Sequence, residues 1–178
     1  SQQVLSKFLK KEINIVCDPT MLIPKDDWIA LERKCLETED FILLYCFAYQ
    51  ITEEDIRKIK TFACEKNLKL VSVADFLPFA DKNKPLNPEE FIGYFHKAKY
   101  VIASTFHGTC FSIIYNKKFA VVSRNSPKVE NLLLQFKASN LNIIQHESIS
   151  DLIDRDDNQS QRLNILSTMR NDSFAWLK

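Results

Sequence analysis

Two hydrophobic periodicities alternate along this chain, and the alternation leaves few folds open to it. Short runs rich in β-branched and aromatic residues occur at Ile13 to Cys17, Phe41 to Phe47, Leu68 to Val73, Tyr100 to Ser104 and Phe119 to Ser123. Their apolar residues are consecutive instead of every second one, which is the pattern of strands buried on both faces. Between these runs the spacing turns helical. Thr52-Glu53-Glu54-Asp55 reads as a capping box with Asp in the last place, after which Ile56, Ile59, Phe62 and Ala63 recur on one face until about Asn67. Asn87-Pro88 is a cap followed by proline at the first helical position, with Phe91, Tyr94, Phe95 and Ala98 on one face beyond it. Further helices are predicted from His107 to about Tyr115, from Pro127 to Lys137 with Val129, Leu132, Leu133 and Phe136 inward, and over 159–178.

Strands that alternate with helices in this way are joined by right-handed crossovers, which place helices on both faces of a parallel sheet. The fold class is therefore α/β, doubly wound and Rossmann-like, and the 178 residues suit a single domain over 1–178. One long irregular connection is expected, from Phe76 to Asn87. Composition narrows the function classes. With 24 basic and 23 acidic side chains the formal charge is +1, so nucleic acid is not an expected partner, since duplex binders carry a basic stripe. The doublets Lys10-Lys11 and Lys117-Lys118 read as solvated turns or helix ends. Five scattered cysteines, without C-x-x-C or histidine at ligand spacing, exclude a zinc motif and suit a reducing cytoplasm. No membrane span, metal or cofactor is expected.

Candidate chemistry gathers in Ser104-Thr105-Phe106-His107-Gly108-Thr109, where a strand feeds a helix. That is the carboxyl edge at which open α/β sheets bind ligands, and a helix start there offers free N–H groups and a positive dipole end to an anion. Gly108 is one of two glycines, so backbone is expected to approach something closely there. His107 is a candidate acid–base group and equally a plain helix-cap histidine. Arg124, at the end of the next strand, is an anion clamp or an exposed loop arginine. Lys128 opens the following helix. His96 and His146 read as surface residues, Cys110 as a buried thiol, and Asp18 as a cap ahead of Pro19.

The segment from Ala103 through Ser-Thr-Phe-His-Gly-Thr-Cys-Phe to Phe119 is similar to the signature of polysaccharide pyruvyl transferases. Cys17-Asp-Pro-Thr-Met-Leu-Ile resembles the Asp-Pro-Thr segment that precedes it in that family, and Asn87-Pro-Glu-Glu-Phe with Ala98-Lys-Tyr-Val-Ile resembles the approach to the signature. Lys128 stands where many members have arginine ahead of paired leucines, and Ser139-Asn-Leu-Asn replaces a Gly-Leu followed by arginine. The resemblance implies the carboxy-terminal half of a GT-B-like enzyme that moves pyruvate from phosphoenolpyruvate onto two hydroxyls of a bacterial surface glycan. A glycan or lipid-linked sugar is the implied acceptor, and the amino-terminal half is expected to be missing from this chain, leaving the isolated fragment inactive. It assigns His107 as catalytic, with Ser104, Thr105, Gly108, Thr109 and Arg124 holding substrate. The rival readings are the nucleotide-sugar half of a GT-B glycosyltransferase and a non-catalytic interaction module.

Overall fold

Five parallel strands form one sheet in the computed structural model, which describes residues 16–177. They are β1 (Phe41–Tyr45), β2 (Lys69–Ser72), β3 (Lys82–Asn83), β4 (Tyr100–Ala103) and β5 (Lys118–Val121), in the order β3-β2-β1-β4-β5. β1 and β4 lie at the centre, in register from Ile42 opposite Tyr100 to Tyr45 opposite Ala103. Phe41 to Leu44 and Tyr100 to Ala103 are all buried, as strands covered on both faces must be. The expected run Ile13 to Cys17 falls outside the described residues except for Val16 and Cys17, which pair with no described strand.

The helices follow from their start signals. α1 (Pro19–Leu22) is capped by Asp18, whose Oδ1 accepts from the Thr20 amide at 2.9 Å, and α2 (Lys25–Ala30) follows it. α3 (Glu53–Lys66) opens on the complete Thr52–Asp55 capping box and closes with Asn67 in the left-handed region, φ 52°. α4 (Pro88–Lys97) has the corresponding box between Asn87 and Glu90. α5 (Phe106–Ile114), α6 (Pro127–Gln135), α7 (Ile149–Asp154) and α8 (Gln159–Leu177) complete the described helices. β1 to β2 winds one way along the sheet and β4 to β5 the other, so right-handed crossovers put α3 and α5 on opposite faces. α7 packs on α3, whereas α1, α6 and α8 pack on α5.

Cys17, Cys35, Cys46 and Cys110 are buried free thiols and Cys64 is exposed. Burial pushes the Cys46 thiol up to about 12 against hydrogen bonds from Ser104, so it behaves as a small apolar residue. Among the described residues no helix is long and apolar enough to cross a membrane, and no cluster of His, Cys, Asp or Glu is arranged to hold a metal ion. The Phe76 to Asn87 connection is not wholly irregular, because Lys82–Asn83 adds a short strand at the sheet edge.

Candidate functional site

The strand order creates a topological switch point. The chain steps outward from β1 through β2 to β3, then α4 carries it back past β1 to β4. The loops leaving β1 and β4 therefore diverge and open a crevice at the carboxyl edge, where sheets of this kind take ligands. The residues of the β4–α5 turn stand on one side of it. Ser104 is buried, and its Oγ accepts from the Phe47 amide at 3.0 Å, which ties this turn to the end of β1. Thr105 caps α5, its Oγ1 accepting from the Gly108 amide at 3.0 Å. Of the first three helical amides, those of Phe106 and His107 are left open as donors.

Gly108 does permit a close approach, and the neighbour is the sheet itself. A Cβ there would lie 2.7 Å from Tyr45 Cδ1 and 2.9 Å from Ala103 Cβ. Its carbonyl accepts from Ser112 Oγ at 2.7 Å. Thr109 is fully buried and its Oγ1 donates to the Thr105 carbonyl at 3.0 Å. Ser104, Gly108 and Thr109 thus direct their polar atoms into the turn that they build.

His107, on the first turn of α5, is exposed. Its ring meets the edge of Phe106, centroids 5.5 Å apart, and it lines a cleft of about 410 Å³ together with Asp18, Lys128, Asn131, Gln135 and Met169. Lys128 is on the first turn of α6, whose flank from Lys128 to Gln135 forms one wall of the cleft, so the start of α5 and a lysine meet there. Of Ser104, Thr105, His107 and Arg124, His107 alone lines this cleft. Sequence reasoning underrated Lys128 and could not find Met169, which reaches the cleft from α8. The signals for Lys128 are its place at a helix start and at the position where many family members carry arginine. A larger hollow of about 710 Å³ lies against Asp40 and Lys69, at the amino ends of β1 and β2 and away from the switch point.

Arg124 turns to the other face of the sheet. Its Nη1 meets Asp55 Oδ2 at 2.7 Å and its Nη2 meets Oδ1 at 3.0 Å, a two-pronged pair with a fully buried carboxylate. Asp55 Oδ2 also accepts from the Thr52 amide and hydroxyl, each at 2.8 Å. Burial opposes ionisation of Asp55, but the bonds from Arg124 and Thr52 outweigh it and hold the carboxyl below its usual range. Arg124 and His107 therefore occupy the same edge without facing the same space.

A profile of the polysaccharide pyruvyl transferase family matches residues 1–126 of the chain. No curated protein matches it. Among solved structures, the chain is similar to the glycosyltransferase SnogD from Streptomyces nogalater, at 8% identity and a TM-score of 0.47, over 96% of this chain and 47% of that one. It is also similar to a Listeria monocytogenes protein assigned as a UDP-N-acetylglucosamine 2-epimerase, at 12% identity and a TM-score of 0.43, over 95% of this chain and 45% of the other. The chain spans less than half the length of either protein. With a match over residues 1–126 of 178, the chain belongs to the polysaccharide pyruvyl transferase family.

Proposed function

We propose that this chain supplies the donor-side half of a site that transfers pyruvate from phosphoenolpyruvate to a sugar of a surface polysaccharide, with a second α/β half completing the crevice. The observation that carries the reading is the exposed His107 on the first turn of α5, in one cleft with Lys128, beside the switch point. Phosphoenolpyruvate is a strongly anionic enol phosphate. Lys128, the open amides of Phe106 and His107 and the positive end of α5 provide charge and donors of the matching sign.

Ketal formation needs a proton delivered to the methylene carbon as one sugar hydroxyl adds to the adjacent carbon. The carbon–oxygen bond to phosphate then breaks, and a second hydroxyl closes the ketal. One hydroxyl proton ends on the new methyl group and the other leaves with phosphate. His107 is the group that exchanges these protons, since imidazole serves as acid or base near neutral pH. Ser104, Thr105, Gly108 and Thr109 act by fixing the turn that presents His107, while Arg124 holds the neighbouring edge through Asp55.

In the enzyme that contains both halves, His107→Ala should lower turnover by roughly 100-fold to 10,000-fold with the fold intact. A raised KM at normal kcat would reassign His107 to donor binding. Unchanged kinetics would return it to a cap without chemistry, and binding of a nucleotide sugar in place of phosphoenolpyruvate would favour a glycosyltransferase site.

A further inference from the structure

Cys17, Asp18 and Met21 form part of the wall of the His107 cleft, and the rest of the fold pins the segment that carries them. Two residues of α8 hold it: the Cys17 amide donates to Ser173 Oγ at 3.0 Å, while Arg170 donates to the Met21 carbonyl and, at 2.7 Å, to that of Ile23. Trp28 Nε1 donates to the Thr20 carbonyl at 3.2 Å. Asp18 is therefore presented to the cleft from a fixed backbone. Its Oδ1 serves as the cap of α1, accepting from the Thr20 amide at 2.9 Å. Among the described residues no side chain bonds its Oδ2, and Lys128 lines the same cleft without forming an ion pair with it. The carboxylate stands close to α5, because with burial it pushes the Cys110 thiol up. Cys110 lies one turn beyond His107 on the same flank of that helix. A cap needs only one oxygen. The other is a negative charge in a cleft otherwise furnished for an anion, where it opposes donor binding.

We infer that Asp18 is a second catalytic residue of the transfer, whose Oδ2 accepts the hydrogen bond of the attacking sugar hydroxyl and faces the central carbon of the donor as that carbon becomes cationic. The inference rests on reading the cleft as the phosphoenolpyruvate site. Protonation of the methylene carbon leaves the adjacent carbon short of electrons, and departure of phosphate does so again before the second hydroxyl closes the ketal. A fixed carboxylate lowers both barriers, because it meets positive charge that develops only on the way to product. No bond to Asp18 forms. The two hydroxyl protons still pass through His107 and finish on the new methyl group and with phosphate, so His107 moves protons while Asp18 offsets charge.

The test pairs kinetics with binding in Asp18→Asn and Asp18→Ser, which both keep a capping oxygen for the Thr20 amide and lose the charge. In the enzyme that contains both halves, each should lower kcat by roughly 100-fold to 1,000-fold, with Tm unchanged and the KM for phosphoenolpyruvate unchanged or lower. In an NMR titration of the chain, phosphoenolpyruvate should bind each variant at least as tightly as the unsubstituted chain, since a like charge has been removed. Normal kcat in both variants, or a raised KM at normal kcat, overturns the inference and leaves the donor reading of His107 standing. So does a fall in kcat that both variants show only together with a fall in Tm, since Asp18 would then be a cap alone. A chain that gives no phosphoenolpyruvate response before any substitution takes both readings down.

Discussion

Removing the Arg124 guanidinium should unbalance the fold before it affects any ligand. In Arg124→Ala the fully buried Asp55 carboxylate loses two charge-assisted hydrogen bonds, at 2.7 and 3.0 Å. Breaking a fully buried pair costs about 3–5 kcal/mol. Here the arginine side chain is 35% exposed and Thr52 still donates twice to the carboxylate. The cost should therefore be about 2 kcal/mol after the discount for solvent. For a chain of this length that lowers Tm by roughly 4–8 °C. Urea denaturation of Arg124→Ala, Asp55→Asn and the double variant gives the coupling energy, which should be about 1–2 kcal/mol. The contribution should also depend on pH. The Asp55 carboxyl is held below its usual range, so the stabilisation is present above the unfolded value of about 3.9 and is lost as pH falls through the lower folded value. Unchanged stability of Arg124→Ala, together with lost anion binding, would refute this reasoning and give the guanidinium to the substrate.

Other substitutions test the same structure. Gly108→Ala should cost about 1–3 kcal/mol by overpacking, seen as a lowered denaturation midpoint, because its Cβ would meet Tyr45 and Ala103 inside 3 Å. Gly93→Ala should cost more than Gly108→Ala in the same assay, since its Cβ would sit 2.0 Å from the Arg33 backbone carbonyl, which cannot rotate away. Burial lowers the Lys117 ammonium to about 8. Below that pH the folded state bears the cost of a desolvated charge, so stability should rise as pH increases through about 8 towards the unfolded value of about 10.4. Lys117→Met should flatten that limb of a Tm-against-pH curve.

Local signals announced much of this architecture. Thr52–Asp55 is a capping box in the sequence and in the structure, and the Asn87 cap read from the sequence becomes a full box with Glu90 in the structure, because a cap depends on neighbours three residues apart. The central strands were legible because both of their faces are apolar. β3 was not, since Lys82–Asn83 is a polar edge pair held by the register of Val71 and Ser72. The His107 turn could be read from its own residues. The role of Arg124 could not, because its partner Asp55 is 69 positions away and already carried a complete local explanation as a cap. Gly108 had the same kind of ambiguity: one glycine at a strand–helix turn fits a ligand or a packed sheet, and only the tertiary position of Tyr45 decides.

The donor reading of the His107 cleft is tested most directly by titrating the chain with phosphoenolpyruvate while following the His107 ring and the amides of Phe106, His107 and Lys128. The account predicts saturable shifts at these groups, weakened in His107→Ala and Lys128→Ala, and little response to a uridine diphosphate sugar. Saturable shifts from the nucleotide sugar at the same groups, or a phosphoenolpyruvate response centred on Arg124 with His107 silent, would contradict it.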